Sequence, residues 1–220
     1  MANLFGGDCE MKTHECEQGS DIWLSEKLGV ITGTRALQLM SSNITRRTLL
    51  AEIISELLTS ERKSDKKSFS GTPAMKRGLN IEDEAASYYG IMHDCIVTDR
   101  MAYIESDISP LFAASPDGLI GSDGGYEGKR LDKENHIKLL LGQAPEKKYI
   151  KQCEWNIFIT GRKWWILNYY CEELPVSMRS YSITIPRNEQ MMKDMKERAL
   201  DMLGDLTSFL NQHGLGGLLS

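Results

Sequence analysis

Between residues 112 and 212 the hydrophobic period changes repeatedly, and that alternation restricts the chain to folds in which helices flank a sheet. Spans 112–120 and 126–131 read as strands, joined through the turn-rich Gly121-Ser122-Asp123-Gly124-Gly125. Pro145 opens a helix running to about Ile159, because proline suits a first helical turn. Thr160-Gly161-Arg162-Lys163 ends it, 164–170 reads as a buried strand, and 180–185 alternates. Residues 187–212 form a long amphipathic helix. Upstream, 44–58 carries Leu49, Leu50, Ile53, Ile54 and Leu57 at helical spacing. A second helix spans 79–91, with Glu82, Ala85, Ala86 and Tyr89 on one stripe, and 96–104 reads as a further strand. The expected class is α/β (α+β), with a central mixed sheet between helices.

A chain of 220 residues suits a single domain over 1–220 and can bury a core without disulfides. Residues 1–16 are expected to be loosely ordered, the Ser- and Lys-rich stretch 60–72 a flexible loop, and 214–220 a frayed tail. Residues 1–20 carry several charges and no apolar run, so they are expected to be neither a signal peptide nor an anchor, and no stretch approaches the roughly 20 apolar residues of a membrane span. Five scattered cysteines argue against a secreted disulfide scaffold and for the cytoplasm. Cys9, His14 and Cys16 raise a zinc question, but they lack a CxxC pair and a second cluster, so free thiols are the better reading.

The net charge of −5 does not exclude nucleic acid, because local charge decides binding. Cations gather at Arg46-Arg47, Lys76-Arg77, Lys129-Arg130, Arg162-Lys163 and over 62–67 and 147–151.

The chemistry gathers around Asp117. In Ser115-Pro116-Asp117-Gly118, proline interrupts the ladder and glycine permits a bend, so the carboxylate sits at a break in the strand. Alone, Pro-Asp-Gly reads as a surface turn. In Tyr126-Glu127-Gly128-Lys129, residues two apart share a face, so Glu127 and Lys129 point together. A short hairpin would bring both to Asp117. Two carboxylates suit Mg²⁺, which keeps its other positions for water and phosphate. The lysine can orient or deprotonate a water, or stabilise charge on a phosphate. A surface hairpin with an ordinary ion pair is the alternative.

Asp117, nine residues, then Glu127-x-Lys129 resembles the PD-(D/E)xK nuclease signature. Further segments resemble the phage lambda exonuclease family: Glu17-Gln18-Gly19 with Trp23, Leu28-Gly29-Val30-Ile31-Thr32, the span 78–85 around Glu82, Ser115-Pro116-Asp117-Gly118-Leu119, Tyr149-Ile150-Lys151-Gln152 and Asn168-Tyr169. The resemblance covers about Glu17 to Glu173, in order. It implies that Asp117 and Glu127 are metal ligands, with the Gly128 carbonyl, and that Lys129 is the catalytic lysine. It implies that Glu82 supports the metal site or reaches a second ion, and that Gln152 steadies the lysine or the attacking water. Lys27, Thr34 and Arg35 resemble a pocket for a 5′-phosphate, with Lys27 where arginine is expected. Glu154 and Arg130-Leu131 also depart from the pattern.

The implied activity is Mg²⁺-dependent 5′-to-3′ digestion of linear double-stranded DNA to 5′-mononucleotides, using two ions that Mn²⁺ can replace. The 3′ overhang would serve recombination with a single-strand annealing protein. The implied assembly is a homotrimeric ring around DNA, for which Arg46, Arg47, Lys76, Lys148 and Lys151 are candidate backbone contacts. The implied setting is the cytoplasm of a bacterial host carrying the gene on a phage or prophage. The alternatives are an endonuclease on the same core and a non-catalytic DNA-binding module.

Overall fold

The computed structural model describes residues 13–15, 27–60, 73–99 and 102–219. Eight strands are found there: β1 (Thr13–Glu15), β2 (Val97–Thr98), β3 (Ala102–Glu105), β4 (Ala113–Ala114), β5 (Gly118–Ile120), β6 (Gly124–Arg130), β7 (Trp164–Tyr170) and β8 (Ser180–Pro186). The helices are α1 (Gly33–Leu39), α2 (Asn43–Thr59), α3 (Pro73–His93), α4 (Lys133–Leu140), α5 (Lys147–Thr160) and α6 (Glu189–Gln212).

A five-stranded sheet has the order β2-β5-β6-β7-β8, and a smaller one the order β1-β3-β4. In the larger sheet β6 and β7 run parallel while the other pairings are antiparallel. A parallel neighbour cannot be reached by a tight turn, so α4 and α5 form the crossover. β5 and β6 form a hairpin with Gly118 opposite Tyr126 and Ile120 opposite Gly124. At Gly125 an added Cβ would stand 2.3 Å from the Trp165 ring, so glycine lets that indole lie flat across β6.

The two faces of the sheet bury different sets. Trp165, Leu167 and Tyr169 join Cys153, Trp155 and Ile157 of α5 in the main core. Met192, Met195, Ala199, Met202, Leu206 and Leu210 complete it as one stripe of α6, spaced three and four apart. On the opposite face, Tyr126, Ile120 and Ile166 pack against Ala86 and Tyr89 of α3. The mixed sheet between helices agrees with the expected class.

Several expected elements change on folding. Span 96–104 divides between the two sheets as β2 and β3, and 112–120 divides as β4 and β5, with Pro116 at the break. α3 starts at Pro73 rather than at Leu79. α5 starts at Lys147, after Pro145 and the N-cap Glu146. α6 starts at Glu189 because Asn188 caps it, its side chain accepting from the Met191 N–H at 3.0 Å. α4 was not expected; Asp132 caps it by accepting from the Asn135 N–H at 2.9 Å. α1, also unread, is too short to declare a period.

The expected tail 214–220 is described up to Leu219. Gly216–Leu219 forms a 3-10 turn, and Leu215 and Leu219 pack on the main core. Of the expected loop 60–72, Ser60 caps α2 and the remainder lies outside the described residues, as do Cys9 and Cys16 of the zinc question. Among the described residues no helix is long and apolar enough to cross a membrane.

Candidate nuclease site

The site forms where β5 and β6 part from the break at Pro116. The Gly128 N–H donates to Asp117 Oδ2 at 2.9 Å, tying the carboxylate before β5 to the middle of β6. The strand alternation puts Glu127 and Lys129 on the face covered by α5. Glu127 is fully buried, yet both its oxygens are satisfied. Oε1 accepts from Gln152 Nε2 at 2.5 Å and from the Lys129 ammonium, and Oε2 accepts from Asn156 Nδ2 at 3.1 Å. Lys129 Nζ lies 3.8 Å from Asp117 Oδ2 and 5.3 Å from the centre of the Tyr149 ring. Thus Asp117, Glu127, Gly128, Lys129 and Gln152 come together as expected.

Burial pushes the Glu127 carboxyl up to about 8, Asp117 adds to the rise, and Lys129 opposes it. Burial alone would lower Lys129, but Glu127 and Asp117 outweigh it and hold the ammonium above the ordinary lysine value. One cation thus stands between two carboxyl groups, of which Glu127 is fully buried.

Among the described residues no three or more His, Cys, Asp or Glu side chains gather as a metal cage. The two carboxylates and the Gly128 carbonyl are nevertheless hard oxygen donors, and Mg²⁺ is commonly held by one or two carboxylates plus water and phosphate. The donor set fits such an ion. Glu82 is half-buried on α3, which packs on the sheet face carrying Tyr126, opposite the face of Glu127 and Lys129.

The expected phosphate pocket is assembled differently from its sequence reading. Lys27 is buried beside the turn leading to α1, and Thr34 is exposed with its hydroxyl 3.2 Å from that of Thr32. Arg35 turns inward: its guanidinium pairs with Glu56 of α2 and donates to the Val30 carbonyl at 3.0 Å. Glu56 also accepts from the Gly29 N–H at 3.0 Å. Arg35 therefore anchors the 27–31 turn instead of facing a bound end.

The proposed DNA contacts divide similarly. Arg47 is exposed, whereas Arg46 pairs with Asp201 at 3.4 Å, Lys148 with Glu146 at 2.8 Å and Lys151 with Glu154 at 2.6 Å. Lys76 belongs to the part of α3 described by backbone alone. Two departures from the resembled pattern gain an account: Glu154 serves Lys151, and Arg130 pairs with Glu172 while Leu131 packs on the core.

Asn156 was missed, although it follows Gln152 by one helical turn and so shares its face. Glu56 was also missed, because a lone acid in an apolar stripe looks like solvent-exposed decoration until Arg35 reaches it.

Residues 22–163 of the 220 match the family described as the YqaJ-like viral recombinase domain. An alkaline exonuclease from Laribacter hongkongensis superposes with a TM-score of 0.76 at 28% identity, over 89% of this chain and 96% of that one. The structure of that enzyme in complex with dAMP gives a TM-score of 0.75, again at 28% identity, covering 88% and 95%. A phage-related exonuclease from Haemophilus somnus, 12% identical with a TM-score of 0.66 over 84% and 96%, shares the fold. No curated relative matches the chain.

Proposed function

We propose that this chain, which belongs to the YqaJ-like viral recombinase domain family, is a Mg²⁺-dependent exonuclease that digests one strand of linear duplex DNA from its 5′ end. The family and the 28%-identical alkaline exonuclease make this a DNA-hydrolysing nuclease. The single observation that carries the metal-dependent reading is the convergence of Asp117, at the β4–β5 break, with Glu127 and Lys129 of β6, Gln152 of α5 holding Glu127.

Asp117 and Glu127 would hold the ion with the Gly128 carbonyl, and Mn²⁺ would occupy the same oxygens. When bound, Mg²⁺ would supply Lewis-acid stabilisation of phosphoryl charge and lower the pKa of a coordinated water. Lys129, kept protonated by its two carboxylate neighbours, donates a hydrogen bond to the attacking water or to a phosphate oxygen. That is the electrostatic alternative of its two sequence readings, since an ammonium so stabilised is a poor base. Gln152 keeps Glu127 in place with a neutral donor, so no second cation competes with the ion at that oxygen. Glu82 remains a candidate supporting carboxylate, reached from α3.

Lys27, in the turn before α1, and Thr34, in the first turn of α1, we assign to the terminal 5′-phosphate. The relative's complex with dAMP supports a mononucleotide product. Linear duplex labelled at each 5′ and 3′ end in turn, with Mg²⁺, tests the polarity. The expected result is early release of 5′-labelled mononucleotide and survival of a closed circle. Early release of 3′ label, or rapid cutting of the circle, would favour the opposite polarity or an endonuclease.

We further propose a ring of three copies with Arg47, Lys76 and the paired cations Arg46, Lys148 and Lys151 towards its passage, and a single-strand annealing protein as user of the 3′ overhang. Cyclic symmetry would give an acidic chain a shared basic lining. Light scattering is expected to give the mass of three 24.8 kDa chains. A monomer that still degrades long DNA against excess competitor would remove the ring and leave the nuclease.

A further inference from the structure

A buried carboxylate serves as a metal ligand only if its plane is held where the ion needs it, and the surroundings of Glu127 show how this chain does that. Of the donors on Glu127, Lys129 is a cation that also approaches Asp117, so it satisfies the carboxylate while cancelling part of its charge. The other two are amides on one face of α5. Gln152 Nε2 takes Oε1 at 2.5 Å and Asn156 Nδ2 takes Oε2 at 3.1 Å. With a neutral donor on each oxygen, the carboxyl plane is fixed without a further cation beside it. The Asn156 amide turns its nitrogen towards Glu127.

The pair is itself clamped from behind by α1. A Cβ at Gly33 would lie 2.7 Å from Gln152 Cγ and 3.3 Å from Asn156 Oδ1. Glycine therefore lets the α1 backbone press directly on both amide side chains. Asn156 is 1% exposed, too buried to contact substrate directly, and its backbone carbonyl accepts from Thr160 Oγ1 at 2.6 Å within the same helix. A buried amide at this position is costly unless its hydrogen bonds are made, so an apolar residue would be the simpler filler.

We propose that Asn156 is a positioning residue for Glu127: its amide, opposite that of Gln152, fixes both carboxylate oxygens in advance and thereby sets the affinity of the site for a divalent cation. The proposal rests on the nuclease reading and adds to it a residue that touches neither substrate nor ion. Groups that orient metal ligands in this way commonly change metal affinity about 10–100-fold when removed.

The test uses Mn²⁺ alone, titrated into the full-length protein without DNA and followed by calorimetry. Asn156→Leu keeps the branching at Cγ and removes the donor, though with a larger side chain; the expected result is about 10–100-fold weaker Mn²⁺ binding. In the nuclease assay the Mg²⁺ needed for half-maximal rate should rise similarly, while the rate at saturating Mg²⁺ changes little. Asn156→Ser, which retains a shorter donor, should fall between. Ile157→Val, a core change on the same helix, should lower the melting temperature yet leave Mn²⁺ affinity alone. Mn²⁺ affinity equal to wild type in Asn156→Leu overturns the proposal. If that variant fails to fold, wild-type affinity in Asn156→Ser overturns it and weakened affinity upholds it. If the wild-type protein binds no Mn²⁺, the nuclease reading fails together with the inference; if Glu127→Gln alone abolishes binding, the nuclease site stands without a role for Asn156.

Discussion

Glu127→Gln is expected to bring Mg²⁺-dependent cleavage of linear duplex down to background, a loss on the order of 10³-fold or more. Several kcal/mol of transition-state charge stabilisation depend on the ion, and each ~1.4 kcal/mol is tenfold in rate. The substitution is chosen with care, because Glu127 is fully buried and holds three donors. Alanine would leave a cavity and strand a buried ammonium and two amides, so inactivity could reflect damage to the fold. Glutamine keeps the shape and removes the charge, at the cost of turning one acceptor oxygen towards a donor as an amide N–H2. The metal-free variant should therefore melt below the wild type but remain folded. Mg²⁺ should then raise the melting temperature of the wild type and leave that of the variant where it was, since only a bound ion stabilises the folded state. Ready cleavage by Glu127→Gln, or an undiminished thermal shift with Mg²⁺, would remove Glu127 from the metal site.

The residues most legible in the sequence are those whose geometry is local. Glu127 and Lys129 share a face because they are two apart in a strand, and Asp117 meets them because a hairpin of fixed register joins β5 to β6. The long helices α2 and α6 were legible because their apolar stripes recur over many turns. What escaped depends on distant partners. The inward turn of Arg35 is decided by Glu56, 21 residues away and on another helix. The pairing of Arg46 with Asp201 spans 155 residues, so a basic run that looks free in sequence is partly occupied. The split of 112–120 between two sheets was half visible: Pro116 announced a break, but no local signal says that the two halves join different sheets. α4 escaped because Asp132 and one short turn of apolar residues resemble any polar connection.

The second large effect concerns Lys129, and its direction differs between steps. Lys129→Met is expected to slow single-turnover cleavage of bound DNA by about 10²–10⁴-fold, the usual contribution of a positioned proton donor or equivalent catalytic group. DNA affinity should fall little, since one ammonium is a small share of a contact spread over many phosphates. Divalent-ion affinity should hold or rise: Lys129 competes with the ion for Glu127 and stands 3.8 Å from Asp117, so its loss leaves the carboxylates more negative. That third measurement separates chemistry from collapse, because a distorted site would lose metal as well as rate. Lys129→Arg should not restore the wild-type rate, as the planar guanidinium cannot occupy the compact place between Glu127, Asp117 and the Tyr149 ring. A variant that lost DNA affinity while cleaving bound DNA at the normal rate would make Lys129 a phosphate contact only. In that case Asp117 and Glu127 would still hold an ion, but the group that acts on the attacking water would have to be sought elsewhere, first at Gln152.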